Sequence, residues 1–127
     1  MKITNVETIA LRDNADGNVT SWNPTYGDSL DSSPASTGGY DITIVKVNTD
    51  EGISGIGQCE APSLIIDAII KSSLGLENLV INEDPTQVNR LWQKMYNSTG
   101  VFGRRGIVIA AIGAIETALW DITGKFY

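Results

Sequence analysis

The sequence contains no histidine and a single cysteine, Cys59. Without an imidazole, no Ser-His-Asp or Cys-His arrangement can be built, and the commonest general base at neutral pH is missing. One thiol excludes an internal disulfide, and Cys59 reads as a small buried hydrophobe. Positive charge is also scarce. Nine Lys and Arg stand against fifteen Asp and Glu, a formal net charge of −6, so no nucleic-acid partner is expected. The longest apolar run, residues 107–115, is too short to span a bilayer, and no membrane association is expected. The start, MKITNVE, lacks the basic stretch and apolar run of a signal peptide, which predicts a cytoplasmic chain. The N-x-Thr sequons at Asn18 and Asn97 then read as chance matches.

What is present describes one ordinary globular domain: 127 residues, 42% hydrophobic and 19% charged. Residues 2–11 favour a strand through Ile3, Thr4, Val6, Thr8 and Ile9. Residues 41–49 and 53–59 predict two more strands, joined by Thr49-Asp50-Glu51-Gly52 as a tight turn. Gly55 and Gly57 lack the third glycine and the following helix of a phosphate loop, and are expected to pack closely on a neighbour. Beyond Pro62, the isoleucines at 65, 66, 69 and 70 take helical spacing, with Gly75 as the stop. Asp84-Pro85-Thr86-Gln87 predicts a second helix capped by Asp84, with Pro85 in its first turn and a Val88, Leu91, Trp92, Met95 stripe. The segment 107–124 is a third helix, apolar on every side up to Ile115 and rich in small residues, as suits an element between two layers. The fold class is therefore α+β, a three-stranded antiparallel meander followed by about three helices.

Chemistry is thin in this chain. The acidic pairs Asp50-Glu51 and Glu83-Asp84 fall in a turn and at a helix start, and no converging set of carboxylates can be named, so no metal site is expected. Arg104 and Arg105 precede a helix start and could attract an anion, but solvated loop arginines are the preferred reading. No catalytic residue is assigned. The one long irregular stretch, residues 13–40, is the length expected of a functional lid, with Trp22 and Tyr26 among its few large groups.

Four segments occur in order: ITNVET, IVKVNTDEGISGIGQCEAP, INEDPTQVNRLWQKMY and RRGIVIAAIGAIETALWDITGK. Together they resemble the amino-terminal capping domain of the enolase superfamily, of the mandelate racemase/muconate lactonizing enzyme type. The last segment, with Ala114–Asp121 and Gly124-Lys125, is the most specific, and only 13–40 lies outside the likeness. The resemblance implies an enolase N-terminal-domain-like fold over 1–127, normally followed by a (β/α) barrel that this chain does not contain. In such enzymes the barrel holds Mg²⁺ and the lysine or histidine bases that abstract a proton α to a carboxylate. The expected parent is then a lyase (dehydratase) or an isomerase (racemase/epimerase) with a carboxylate or acid-sugar substrate, assembled as a homo-oligomer; the 127-residue chain alone is expected to be inactive. RRG before the last helix and the long first loop are more reminiscent of acid-sugar dehydratases than of cycloisomerases. By the same resemblance 13–40 and about 59–63 are lid loops, and Trp22, Asn23, Tyr26 and Glu60 are the substrate-facing candidates. The last helix is expected to turn Ile112 and Ile115 toward the missing barrel, an apolar face that would otherwise drive self-association. The competing hypothesis is a self-sufficient binding or oligomerisation module without enzymatic activity.

Overall fold

The computed structural model describes residues 1–12 and 41–127. Three strands, β1 (Ile3–Arg12), β2 (Asp41–Thr49) and β3 (Ser54–Cys59), form one antiparallel sheet in the order β1-β2-β3. Four helices follow: α1 (Ser63–Lys71), α2 (Glu77–Val80), α3 (Val88–Ser98) and α4 (Ile107–Phe126). The expected α+β meander is the observed one, with a short extra helix.

Local chemistry explains each boundary. The β2–β3 turn closes with the Gly52 N–H donating to the Thr49 carbonyl at 3.3 Å, and Gly52 takes φ +79°, a conformation that residues with a side chain rarely adopt. The Thr49 hydroxyl bonds the Ile53 carbonyl at 2.7 Å and locks the turn. In β1, Ile3 and Val6 are three residues apart, yet both are fully buried. Strict alternation would place them on opposite faces. A register shift between Ile3 and Asn5 brings both to the core.

The inner sheet face carries Val6, Val45 and Val47; α4 covers β3 and β2, while α1 and α2 pack on β1. Gly55 and Gly57 set how closely α4 lies on β3. A Cβ on either would stand 1.9 Å from a carbonyl oxygen of α4, that of Ala118 or Ala114 respectively. Two strand residues advance about 6.6 Å and four helical residues about 6 Å, so the two contacts repeat in register. The expectation that these glycines serve packing is met.

By length and composition α4 is apolar enough to cross a bilayer; here eight of its side chains are buried within the domain. Ile112 and Ile115 are among them, both fully buried. The expectation that they face away from the domain is overturned: an unbroken apolar run does not say which side the domain itself covers. The side turned to solvent runs through Gly113, Thr117 and Trp120.

Two helix boundaries also depart from expectation. α3 begins at Val88, not at Asp84. The Asp84 carboxylate accepts from the Thr86 N–H (2.9 Å) and hydroxyl (2.8 Å), which fixes a separate turn ahead of the helix. Gln87 occupies the cap position without a side-chain cap bond. The expected stripe survives, with Val88, Leu91 and Met95 buried and Trp92 stacked on Tyr96 at 5.0 Å. α1 ends at Lys71, ahead of Gly75. Gly75 instead lets the chain pass the Ile70 carbonyl, which a Cβ would approach to 2.3 Å.

Each free edge of the sheet is met at one or two points by groups from the helical part of the chain. On β3, the Ile56 N–H donates to Asp121 at 2.9 Å, and the Lys125 ammonium donates to the Ser54 carbonyl at 2.8 Å. Asp121 and Lys125 also pair with each other, 2.6 Å apart. On β1, the Val6 N–H donates to Glu77 at 3.0 Å, and Ile3 exchanges backbone bonds with Asn82 and Glu83. Unpaired edge groups invite another strand, and these contacts engage part of each edge.

Candidate functional site

The end of β1, the start of β2 and the end of β3 meet at one end of the sheet. Arg12 pairs with Asp41 at the last rung of β1 and β2, and Thr43 pairs with Cys59 at the end of β3. Both attachment points of residues 13–40 therefore stand at the same sheet end as Glu60. Trp22, Asn23 and Tyr26 belong to that stretch and lie outside the described residues.

The segment 60–62 is fastened from both sides. The buried Thr43 hydroxyl donates to the Ala61 carbonyl at 2.9 Å. The Pro62 carbonyl accepts from the Ile65 and Ile66 N–H groups at 3.0 and 3.1 Å, which starts α1. Cys59 and Ala61 point inward and are buried, so Glu60 between them is turned outward to solvent. Burial pushes the Cys59 thiol up from its ordinary pKa, consistent with a packing role and not with a reactive thiolate. Leu64, in the first turn of α1, is 81% exposed, and Leu11, near the end of β1, 51%. One solvent-exposed carboxylate can orient a polar ligand. By itself it cannot perform acid–base chemistry on a non-acidic carbon.

The other acidic groups near functional-looking positions are committed to the fold. Glu83 accepts from Arg90 and Lys94 at 2.6 Å each, and these cations hold its carboxyl down to about 2. The Thr86 backbone N–H and hydroxyl lower Asp84. Lys125, then the Ile56 N–H, lower Asp121. Asp50 accepts from the Lys2 N–H at 2.7 Å, and Glu51 pairs with the Met1 amine at 2.7 Å. Among the described residues no three His, Cys, Asp or Glu side chains gather as a metal site. Arg104 donates to the Gly100 carbonyl at 2.9 Å, so it fastens the α3–α4 loop.

Sequence reading missed the exposed side of α4. Trp120 is half exposed and borders a groove of about 140 Å³ with the start of α3, Thr86 to Arg90. The signal was available: Ile109, Gly113, Trp120 and Gly124 recur at spacings of four, seven and four.

Comparison with known proteins agrees with this geometry. The chain is 38% identical over 91 residues to the arabinonate dehydratase of Saccharolobus solfataricus, covering 67% of this chain and 23% of that protein. It is 40% identical over 83 residues to a D-galactonate dehydratase of Xanthomonas campestris pv. campestris (64% and 21% covered), and 34% identical over 84 residues to the D-galactarolactone cycloisomerase of Agrobacterium fabrum (66% and 21%). The chain thus spans about a fifth of the length of these curated relatives. Among solved structures, the 3,6-anhydro-D-galactonate cycloisomerase from Zobellia galactanivorans superposes with a TM-score of 0.75 at 27% identity, over 99% of this chain and 29% of that one. A racemase from Streptomyces coelicolor A3(2) with bound magnesium shares the fold, with a TM-score of 0.73 at 22% identity over 96% of this chain and 32% of that one. Residues 27–127 match the pattern of the mandelate racemase/muconate lactonizing enzyme N-terminal domain, and the chain belongs to that family.

Proposed function

We propose that this chain is the capping domain of a longer Mg²⁺-dependent enzyme that abstracts a proton α to the carboxylate of a sugar acid. In that enzyme the domain supplies part of the substrate-binding wall, with Glu60 facing the ligand and residues 13–40 serving as a lid. The reaction is a dehydration or an isomerisation, with dehydration favoured by the arabinonate and galactonate dehydratases among the relatives. The observation that carries the reading is the family match over 27–127, in a chain that covers only the first domain's share of its relatives.

Among the described residues no group of carboxylates converges as a Mg²⁺ site, and Glu77, Asp121 and Glu83 are each bound to backbone N–H groups or cations of the same domain. In the proposed parent enzyme the metal and the acid–base groups lie in the remainder. What this chain contributes is shape and exclusion of water: a rim fixed by Thr43 and Pro62, presenting one exposed carboxylate.

Purified 1–127 and the longer protein should be offered arabinonate, galactonate and galactarate with Mg²⁺, and again with EDTA. Turnover is expected from the longer protein alone, with loss on chelation. Glu60→Gln in the longer protein should lower kcat/KM at least tenfold without changing Tm. Metal-dependent turnover by 1–127 itself, or a longer protein indifferent to sugar acids, would refute the proposal.

A further inference from the structure

The loop between α3 and α4 carries positive charge that the domain itself leaves unmatched. Lys71 pairs with Glu77, Arg90 and Lys94 with Glu83, and Lys125 with Asp121. Arg105 is exposed and has no carboxylate partner among the described residues. Arg104 uses its Nε on the Gly100 carbonyl, which leaves its two terminal nitrogens as donors. No acidic residue stands between Asp84 and Glu116, in a chain whose net charge is −6. The loop is also held in place. The Phe102 and Gly103 N–H groups both donate to the Thr99 carbonyl, at 3.1 and 2.7 Å, and a Cβ on Gly103 would stand 2.5 Å from the Val108 side chain.

The direction of α4 places this loop. Gly55 lies against Ala118 and Gly57 against Ala114, so α4 runs antiparallel to β3 and begins where β3 ends. From Gly57 to Glu60 the extended chain advances about 10 Å. From Ala114 back to Gly106 the helix covers about 12 Å. The two arginines therefore stand level with Glu60, at the sheet end where residues 13–40 join.

We propose that Arg105, with Arg104 beside it, holds a second carboxylate at the far end of the substrate, so that the sugar acid taken is a dicarboxylic one. The inference rests on the capping-domain reading and names its substrate class. In that reading the carboxylate beside the reacting carbon belongs to the metal, for which the described residues form no site. Cations on the cap side are then left for another anion. Sugar hydroxyls would cover a guanidinium without neutralising it, and a covered, unpaired charge is costly. A carboxylate instead accepts two parallel N–H bonds from one guanidinium. Glu60, an acceptor at the same level, suits the hydroxyl groups in between.

The test compares galactarate with galactonate, and glucarate with gluconate, in the longer protein with Mg²⁺. Each pair shares one configuration and differs only at the far carbon. The dicarboxylate of the preferred pair should have the higher kcat/KM by about tenfold or more, the size expected of a charge-assisted pair. Arg105→Gln should lower that preference by a similar factor, mainly through KM, and Arg105→Lys should restore part of it. Added salt should raise KM for the dicarboxylate more than for the monocarboxylate in the unaltered protein. Equal or better use of the monocarboxylates would overturn the inference and leave the proposed function standing. An equal loss on both acids in Arg105→Gln, or a lowered Tm, would assign Arg105 to the fold and overturn it as well. Indifference to all sugar acids would overturn the proposed function itself.

Discussion

Replacing Gly57 by alanine tests the central packing of the fold with a single methyl group. The added Cβ would lie 1.9 Å from the Ala114 carbonyl oxygen and 3.1 Å from the Ala118 nitrogen, both backbone atoms of α4. No rotamer can relieve that contact. Ordinary van der Waals approach begins near 3.4 Å, so α4 must withdraw by about 1.5 Å or β3 must bow away. Overpacking of this kind costs about 1–3 kcal/mol. Alanine's smaller unfolded-state entropy returns about 0.4–1 kcal/mol. The net loss is about 1.3 kcal/mol, and at about 4 °C per kcal/mol for a domain of this size the Tm should drop by about 5 °C. Urea unfolding followed by far-UV circular dichroism measures it directly. The partner atom is a carbonyl oxygen, so the double variant Gly57→Ala/Ala114→Gly should not recover the loss. A neutral Gly57→Ala, or full rescue by the double variant, would show that α4 does not lie on β3 at this distance.

Three further outcomes are expected. Ile112→Lys should prevent stable folding, with a loss of about 4 kcal/mol or more from an unpaired buried ammonium, while Trp120→Lys should stay within about 1 kcal/mol of the parent; thermal melts of both compare the two sides of α4. Glu83 has a folded pKa lowered to about 2 from 4.5, so its contribution is complete above pH 4.5 and is lost as pH falls toward 2. Glu83→Gln should remove that part of the acid transition, at about 1 kcal/mol or less because the pair is partly solvated. Asp121→Ala should cost about 1 kcal/mol through the orphaned Ile56 N–H and should raise light scattering on mild heating, since the β3 edge is then open.

Much of the sheet was legible because its signals are local. β-Branched residues at 42–47 and the Asp50-Glu51-Gly52 turn specify a hairpin wherever they occur. The bulge near Ile3 was not legible, since only the demand of the core reconciles Ile3 with Val6. At Asp84 the sequence carries a sound cap signal whose carboxylate is taken by Thr86 two residues on, a competition between two local bonds of similar strength. α2, four residues long, has no period to detect. Of the candidate site, Glu60 is exposed just after β3, and Trp22, Asn23 and Tyr26 fall outside the described residues. Asp121 and Lys125 were conspicuous in the sequence, but their work at the β3 edge is tertiary and needed the fold to be seen.

The pairing of Arg12 with Asp41 has a consequence for how this scaffold can change. The two ends of everything between them are held one rung apart by a ladder that is complete without it. Closing a connection across fixed ends costs entropy that grows only with the logarithm of its length, about 0.6 kcal/mol for each doubling. The stretch 13–40 can therefore be lengthened, shortened or rewritten with little penalty to the sheet beneath. A domain built this way can keep its fold while the sequence between those two ends varies.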